Sequence, residues 1–198
     1  MHSTTILSHQ SKKHLGRIMD PLQSLHIAPH LRMKIQQEDD AVALFNLIQQ
    51  EKPRLRETLA WPDSVREVAD TLRTIQQNRR AFFAGLSAVY LIYWQGELAG
   101  VASFNSIKDK QGEIGYWIAG RFEGCGIAHQ AIHCLITHYA DAGLIDTFII
   151  KASTANPRSN ALAKRLGFTY LDCLPSAEKI GEHVYDQNRY RYQLSLIH

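Results

Sequence analysis

The amino-acid sequence predicts one mixed α+β domain, and three observations predict it. Apolar positions switch repeatedly between the alternation of a strand and the spacing of a helix, so the two element types are interspersed. Three strand-like segments between Val89 and Ala119 follow one another through short polar turns, as an antiparallel meander requires. The last of them passes through a glycine-containing loop into the most regular helical stretch of the chain. A length of 198 residues, 45% of them hydrophobic and 21% charged, suffices for one such domain with its own core.

Taken in order, Leu31, Met33 and Ile35 alternate as in a half-buried strand. Glu38-Asp39-Asp40 opens a helix with Ala41, Leu44, Phe45 and Ile48 on one face, and Pro53 breaks it. After a turn at Trp61-Pro62-Asp63, a second helix spans Ser64 to Arg80, with Ser64 as cap, Glu67 completing a capping box, and Val68, Leu72 and Ile75 inward. Val89–Trp94 and Leu98–Phe104 flank the turn Gln95-Gly96-Glu97 as a hairpin, and a polar turn at Lys108 to Gly112 leads to the strand Glu113–Ala119. Ile127, Ala128, Ala131, Ile132, Leu135, Ile136 and Tyr139 then recur at helical spacing up to a stop at Gly143. Thr147–Ile150 reads as a buried strand, Asn156–Leu166 as a helix closed by Gly167, and Phe168–Leu171 and Tyr190–Leu196 as strands. The sum is about seven strands and about four helices.

Residues 1–30 hold Pro21, Pro29 and five of the ten histidines without an apolar period, so a flexible extension is expected over 1–30 and a domain over 31–198. The extension lacks the apolar region of a secretory signal, and the apolar stretch Ala81–Trp94 is too short to span a membrane. A formal charge of +3 is far from the basic stripe that nucleic acid demands. Cys125, Cys134 and Cys173 form no Cys-x-x-Cys pair, which argues against a disulfide framework or a thiolate metal site and suits a reducing cytoplasm. His129 and His133 have metal-pair spacing without an acidic third ligand, so no metal is expected.

The chemistry concentrates in Tyr116-Trp117-Ile118-Ala119-Gly120-Arg121-Phe122-Glu123-Gly124-Cys125-Gly126-Ile127-Ala128, a strand running through a loop into a helix. Unpaired amides and the helix dipole converge there on an anion. Gly124 and Gly126 let the backbone approach a pyrophosphate closely, and Arg121 adds a charged donor. A dinucleotide fingerprint needs a third glycine where His129 stands, and no Gly-Lys-Ser/Thr marks a Walker loop. Taken alone, the two glycines also read as a tight turn.

Order and spacing add to the loop: Arg121-x-x-Gly124-x-Gly126 follows the meander, and Asn156-x-x-Ser159 precedes Leu166-Gly167-Phe168. In this arrangement the chain resembles the GNAT acetyltransferases, whose acetyl-CoA loop has the form Gln/Arg-x-x-Gly-x-Gly/Ala, from roughly Leu31 to Leu196. Leu59-Ala60-Trp61-Pro62, Ala102-Ser103-Phe104-Asn105, Ile114-Gly115-Tyr116-Trp117, Gly124-Cys125-Gly126-Ile127, Thr137-His138-Tyr139-Ala140 and Ser159-Asn160-Ala161 look most similar to the RimL-type subfamily, which acetylates the N-terminal serine of a ribosomal stalk protein. Glu123 departs from the pattern, because a carboxylate beside a pyrophosphate is unfavourable unless it points to solvent.

The resemblance implies a GNAT fold, a mostly antiparallel twisted sheet whose fourth strand, ending near Ile118, splays from the fifth at Thr147–Ile150 to admit the pantetheine of acetyl-CoA, the co-substrate. Amides of Tyr116, Trp117 and Ile118 would polarise the thioester carbonyl, and Arg121, Gly124, Cys125, Gly126, Ile127 and Ala128 would hold the pyrophosphate. Asn156 and Asn160 complete the cofactor set, although Asn156 equally reads as a helix cap. Glu178, expected in a polar loop after the Gly167-Phe168 strand, would be the general base, with Asp186 and Glu113 as alternatives; it equally reads as a solvated carboxylate. Ser159 would protonate the leaving thiolate, or merely support the first helical turn. Trp61, Tyr90, Asn105 and Tyr185 would line the acceptor pocket, and the three cysteines would serve packing. The implied acceptor is an amine, foremost the N-terminus of a ribosomal protein. A small-molecule amine (polyamine, aminoacyl compound or antibiotic) and a non-catalytic acyl-CoA sensor are the alternatives. No nucleic acid or membrane partner is expected, and a cytoplasmic homodimer is.

Overall fold

Strand pairing organises the molecule, a computed structural model of which describes residues 19–194. The strands are β1 (Ser24–Ala28), β2 (Leu31–Ile35), β3 (Ala88–Trp94), β4 (Glu97–Lys108), β5 (Gln111–Ile118), β6 (Thr147–Ser153), β7 (Thr169–Ile180) and β8 (His183–Gln193). They form a single sheet in the order β1-β2-β3-β4-β5-β6-β8-β7. The neighbours from β1 to β5 are antiparallel, through short turns except between β2 and β3, where two helices intervene, and β5 and β6, joined through one helix, form the parallel pair.

Four helices among the described residues cover the two faces: α1 (Ala41–Leu55), α2 (Val68–Phe83), α3 (Ile127–Asp141) and α4 (Pro157–Arg165). Because successive strand side chains point to opposite faces, Leu91 and Val101 pack beneath Ala41, Leu44 and Ile48 of α1 and Ile75 of α2. On the other face Ile92, Ala102, Phe104, Ile114 and Phe148 meet Ile127, Ala131 and Leu135 of α3 and Leu162 of α4. Each buried leucine, isoleucine, valine or phenylalanine among them contributes about 1.5–3 kcal/mol relative to exposure.

The β5–β6 ladder fixes where the site can form. It runs from Gln111 opposite Thr147 to Ile114 opposite Ile150 and stops there, although β5 continues to Ile118 and β6 to Ser153. The β6-facing edge of Tyr116 to Ile118 is therefore left open, which is the expected splay between the meander's last strand and the next.

Several local expectations need correction. Of the expected extension, residues 1–18 lie outside the described residues, and the remainder is part of the domain. Met19, Leu22 and Leu25 are buried in the core, β1 pairs with β2, and the Tyr90 hydroxyl donates to the Leu22 carbonyl over 2.7 Å. A five-residue strand bracketed by Pro21 and Pro29 has no visible period of its own; its pairing partner stabilises it. Pro53 lies within α1, which runs two residues further to Leu55. The cap of α2 is Glu67 rather than Ser64: Ser64 sits in a preceding turn, bonded to the Trp61 carbonyl, while the amides of Arg66 and Glu67 donate to Asp70. The polar loop expected after Leu171 is a long β7–β8 hairpin. The final strand ends at Gln193, and residues 195–196 of the expected one lie outside the described residues.

Candidate functional site

The two open ends of the β5–β6 gap carry different machinery. On the loop side, Gly124 and Gly126 hold φ of +79° and +74°, the left-handed region that glycine enters without strain. Gly126 is the N-cap of α3 and offers no capping side chain, so the first-turn amides stay available until Gln130 donates to the Gly126 carbonyl. No atom lies within 4 Å of a Cβ placed on Gly124, so the loop presents bare backbone to solvent. This is a ready anion site.

The charges around it are paired. Arg121 donates to Glu97 over 2.7 Å and stacks over Phe122 at 4.6 Å. Glu123 does not project freely into solvent; it accepts from Arg54 of α1 over 2.7 Å and from Arg158 of α4. Arg54 also donates to the Ile118 carbonyl and to Glu51, and Glu51 in turn accepts the Gly120 amide over 2.9 Å. Neither Arg54 nor Arg158 was suggested by the sequence, since Arg54 meets Glu123 across a separation of 69 residues.

Across the gap, α4 begins with Asn156, whose side chain accepts the Ser159 amide over 3.1 Å, and Pro157. The Tyr116 hydroxyl donates to Ser159 Oγ over 3.1 Å, so β5 and α4 are tied at the expected thioester position. Burial raises the Tyr116 phenol above its ordinary range, with the Ser159 contact opposing, which keeps it neutral and a donor. Ile127 is buried under the loop and Ala128 packs beside it, so both shape the site without offering side-chain polarity.

Of the expected base and acceptor residues, Glu178 lies on β7 and accepts from Gln187 Nε2 over 3.0 Å. Gln187 is the cross-strand partner of Ser153, the last residue of β6, so Glu178 is held near the open end of the gap. Tyr185 is the cross-strand partner of Glu178. The two alternative bases are already engaged: Asp186 accepts the Ser176 amide over 2.8 Å, and Glu113 pairs with Lys151 at 2.6 Å where the ladder is still closed. Trp61, 36% exposed, leans over Trp117 at 6.4 Å. Ser103 donates to Asn105 over 2.8 Å, and a Cβ on Gly115 would meet the Asn105 amide at 2.7 Å, so Gly115 is what lets Asn105 lie across β5. A polar groove of about 390 Å³ is lined by Glu113, Ile149, Lys151, Arg189 and Arg191.

Some expected site residues are placed elsewhere. Tyr90 is fully buried, bonded to Leu22 and to Tyr139, and cannot line an acceptor pocket. Asn160 spends its side chain on Ser153, Asn156, Asn188 and Tyr190, so it ties α4 to β6 and β8 instead of offering a group to a cofactor. Only Cys134 serves packing, its thiol pushed up to about 11 by burial; Cys125 and Cys173 are exposed. His129 and His133 stack their rings 6.5 Å apart, and no metal-holding cluster occurs among the described residues. Gln187 was missed because its role depends on a β7–β8 register the sequence did not reveal.

Comparison with known proteins agrees with this geometry. The profile of a family described as an acetyltransferase (GNAT) domain matches residues 30–169. The ribosomal-protein-serine acetyltransferase of Escherichia coli (strain K12) is 36% identical over 170 residues, 85% of this chain and 95% of that one. The solved structure of the RimL ribosomal L7/L12 alpha-N-protein acetyltransferase in complex with coenzyme A superposes with a TM-score of 0.85 at 35% identity, covering 86% of this chain and 98% of that one. The microcin C7 self-immunity acetyltransferase MccE, solved with acetyl-CoA and AMP, gives 0.82 at 34% identity over 85% and 94% of the two chains. A strand parted from its neighbour, a bare glycine loop at one end and a held carboxylate at the other are thus found in a chain that belongs to the GNAT acetyltransferases.

Proposed function

We propose that this protein transfers the acetyl group of acetyl-CoA to the N-terminal α-amine of a protein, with a ribosomal protein as acceptor, as the names of its RimL relatives describe for them. The observation that carries the reading is the interrupted β5–β6 ladder, with the Gly124–Gly126 loop on one side and the Glu178–Gln187 pair on the other. The glycine loop and the α3 amides bind the pyrophosphate. The β5 edge that β6 leaves uncovered at Tyr116 to Ile118 holds the acyl-pantetheine arm, and its amides polarise the thioester carbonyl. Glu178 accepts the proton that the amine must lose, the amine nitrogen attacks the thioester carbon, and the carbon–sulfur bond breaks. The nitrogen's second proton reaches the departing thiolate through Ser159, which takes it while giving up its own, with Tyr116 supporting the hydroxyl.

The test is thiol release from acetyl-CoA by the purified chain with serine-starting peptides, polyamines, aminoglycosides and aminoacyl compounds. Turnover confined to the peptides supports the reading. Turnover with small aminoacyl compounds alone would replace the acceptor class. Acetyl-CoA binding without turnover on any amine would leave a sensor. The reading includes a cytoplasmic location, supported by the exposed thiols of Cys125 and Cys173, and a homodimer, for which the exposed Tyr170, Leu171 and Val184 of the β7–β8 hairpin offer surface.

A further inference from the structure

Around the anion loop three arginines and three glutamates form a closed set: Arg121 with Glu97, Arg54 with Glu51 and Glu123, and Arg158 with Glu123. The side chains therefore give the loop no net charge, and Glu123, adjacent to Gly124, puts a carboxylate where a pyrophosphate should be welcome. The two arginines on Glu123 differ in how firmly they are held. Arg54 has further bonds to the Ile118 carbonyl and to Glu51, and its side chain is 36% exposed. Arg158 has only Glu123 among the described residues, and its side chain is 79% exposed. Since Glu123 lies on the β5–α3 loop and Arg158 on the first turn of α4, their pair spans the mouth of the gap between β5 and β6.

We propose that Glu123 is a resident counter-anion and that Arg158 is an exchangeable phosphate ligand: a phosphate of the incoming CoA takes Arg158 from Glu123, while Arg54 stays and neutralises the carboxylate left behind. The exchange trades one charge-assisted bond for another, so it costs little, and a dianionic phosphate competes well with a carboxylate for a guanidinium. It accounts for a glutamate inside an anion loop, and it makes the ligand-free groove a latched one. The inference rests on the acetyl-CoA reading above.

The test is calorimetric binding of CoA and of dephospho-CoA to the wild type, Glu123→Gln, Arg158→Gln and the double variant, with the melting temperature of each ligand-free protein as a folding control. Glu123→Gln is expected to tighten CoA about threefold to fivefold, because Arg158 no longer has to be released. Arg158→Gln is expected to weaken CoA by a similar factor and to abolish most of the gain from Glu123→Gln. A loss confined to CoA assigns Arg158 to the 3′-phosphate, and an equal loss with dephospho-CoA assigns it to the pyrophosphate. Unchanged or weaker binding by Glu123→Gln, or the same gain with and without Arg158, overturns the latch while wild-type binding preserves the acetyl-CoA reading. Failure of the folded wild type to bind CoA overturns both.

Discussion

The two sides of the β5–β6 gap are built from different materials. The cofactor side is largely backbone: amides of a glycine loop, a helix start without a side-chain cap and an unpaired strand edge. The side proposed for the acceptor is made of side chains drawn from three distant places in the chain, Trp61 from the α1–α2 connection, Asn105 from β4 and Glu178 from β7. Backbone sites bind a constant ligand through geometry that tolerates substitution nearby, whereas side-chain sites can be rewritten residue by residue, so the same fold serves different amines.

Substitutions can separate the two sides. The largest effect is expected for Glu178→Gln, which removes the base: kcat falls about 10²- to 10³-fold with acetyl-CoA affinity unchanged, measured by thiol release and calorimetry. A near-normal kcat would move the proton to another group. Gly126→Ala acts on the opposite side, since a Cβ at φ +74° costs about 1–2 kcal/mol and the loop relaxes away from its binding shape. Acetyl-CoA affinity should weaken by about 5- to 30-fold, while the acceptor KM stays put. Trp61→Ala should raise the acceptor KM about threefold with little effect on acetyl-CoA, as for loss of a partly exposed aromatic contact. An equal change in both ligands would show that Trp61 supports the fold and not the acceptor.

The smallest effect concerns pH. Amides of Arg66 and Glu67 hold the Asp70 carboxyl below its usual range, so its folded value is depressed. Its contribution to the start of α2 is present above the ordinary aspartate range and is lost as pH falls through the folded value. Asp70→Asn should therefore lower the melting temperature slightly at neutral pH, and the gap to wild type should close on acidification. A gap that persists in acid would assign the effect to side-chain shape.

That division also explains what the sequence revealed. Gly124, Gly126 and the Tyr116 to Ile118 strand end are neighbours along the chain, so the local sequence offered an anion loop beside a tight turn, and the family resemblance chose between them and implied the splay. Glu178 was reached through the resemblance, because nothing local distinguishes it from a solvated carboxylate until Gln187 is seen to hold it. Tyr90 was misplaced for want of β1: without Leu22 nearby, a tyrosine in a strand has no evident partner for its hydroxyl. Asn160 was misread because its four partners come from β6, α4 and β8, a convergence that sequence order conceals. The pairing of Arg54 and Arg158 with Glu123 gave no signal, since ion pairs between distant segments leave no periodicity.

β1 covers the outer edge of β2 along Ser24 to Ala28. Family similarity begins at residue 30, so a fragment trimmed to that boundary would lose β1 along with Leu22 and Leu25. It would bare the backbone donors and acceptors of β2 beside Leu31, Met33 and Ile35, and such an uncovered strand recruits other chains. Trimmed fragments should therefore aggregate on expression, whereas a fragment that keeps Ser24 to Ala28 leaves that edge covered.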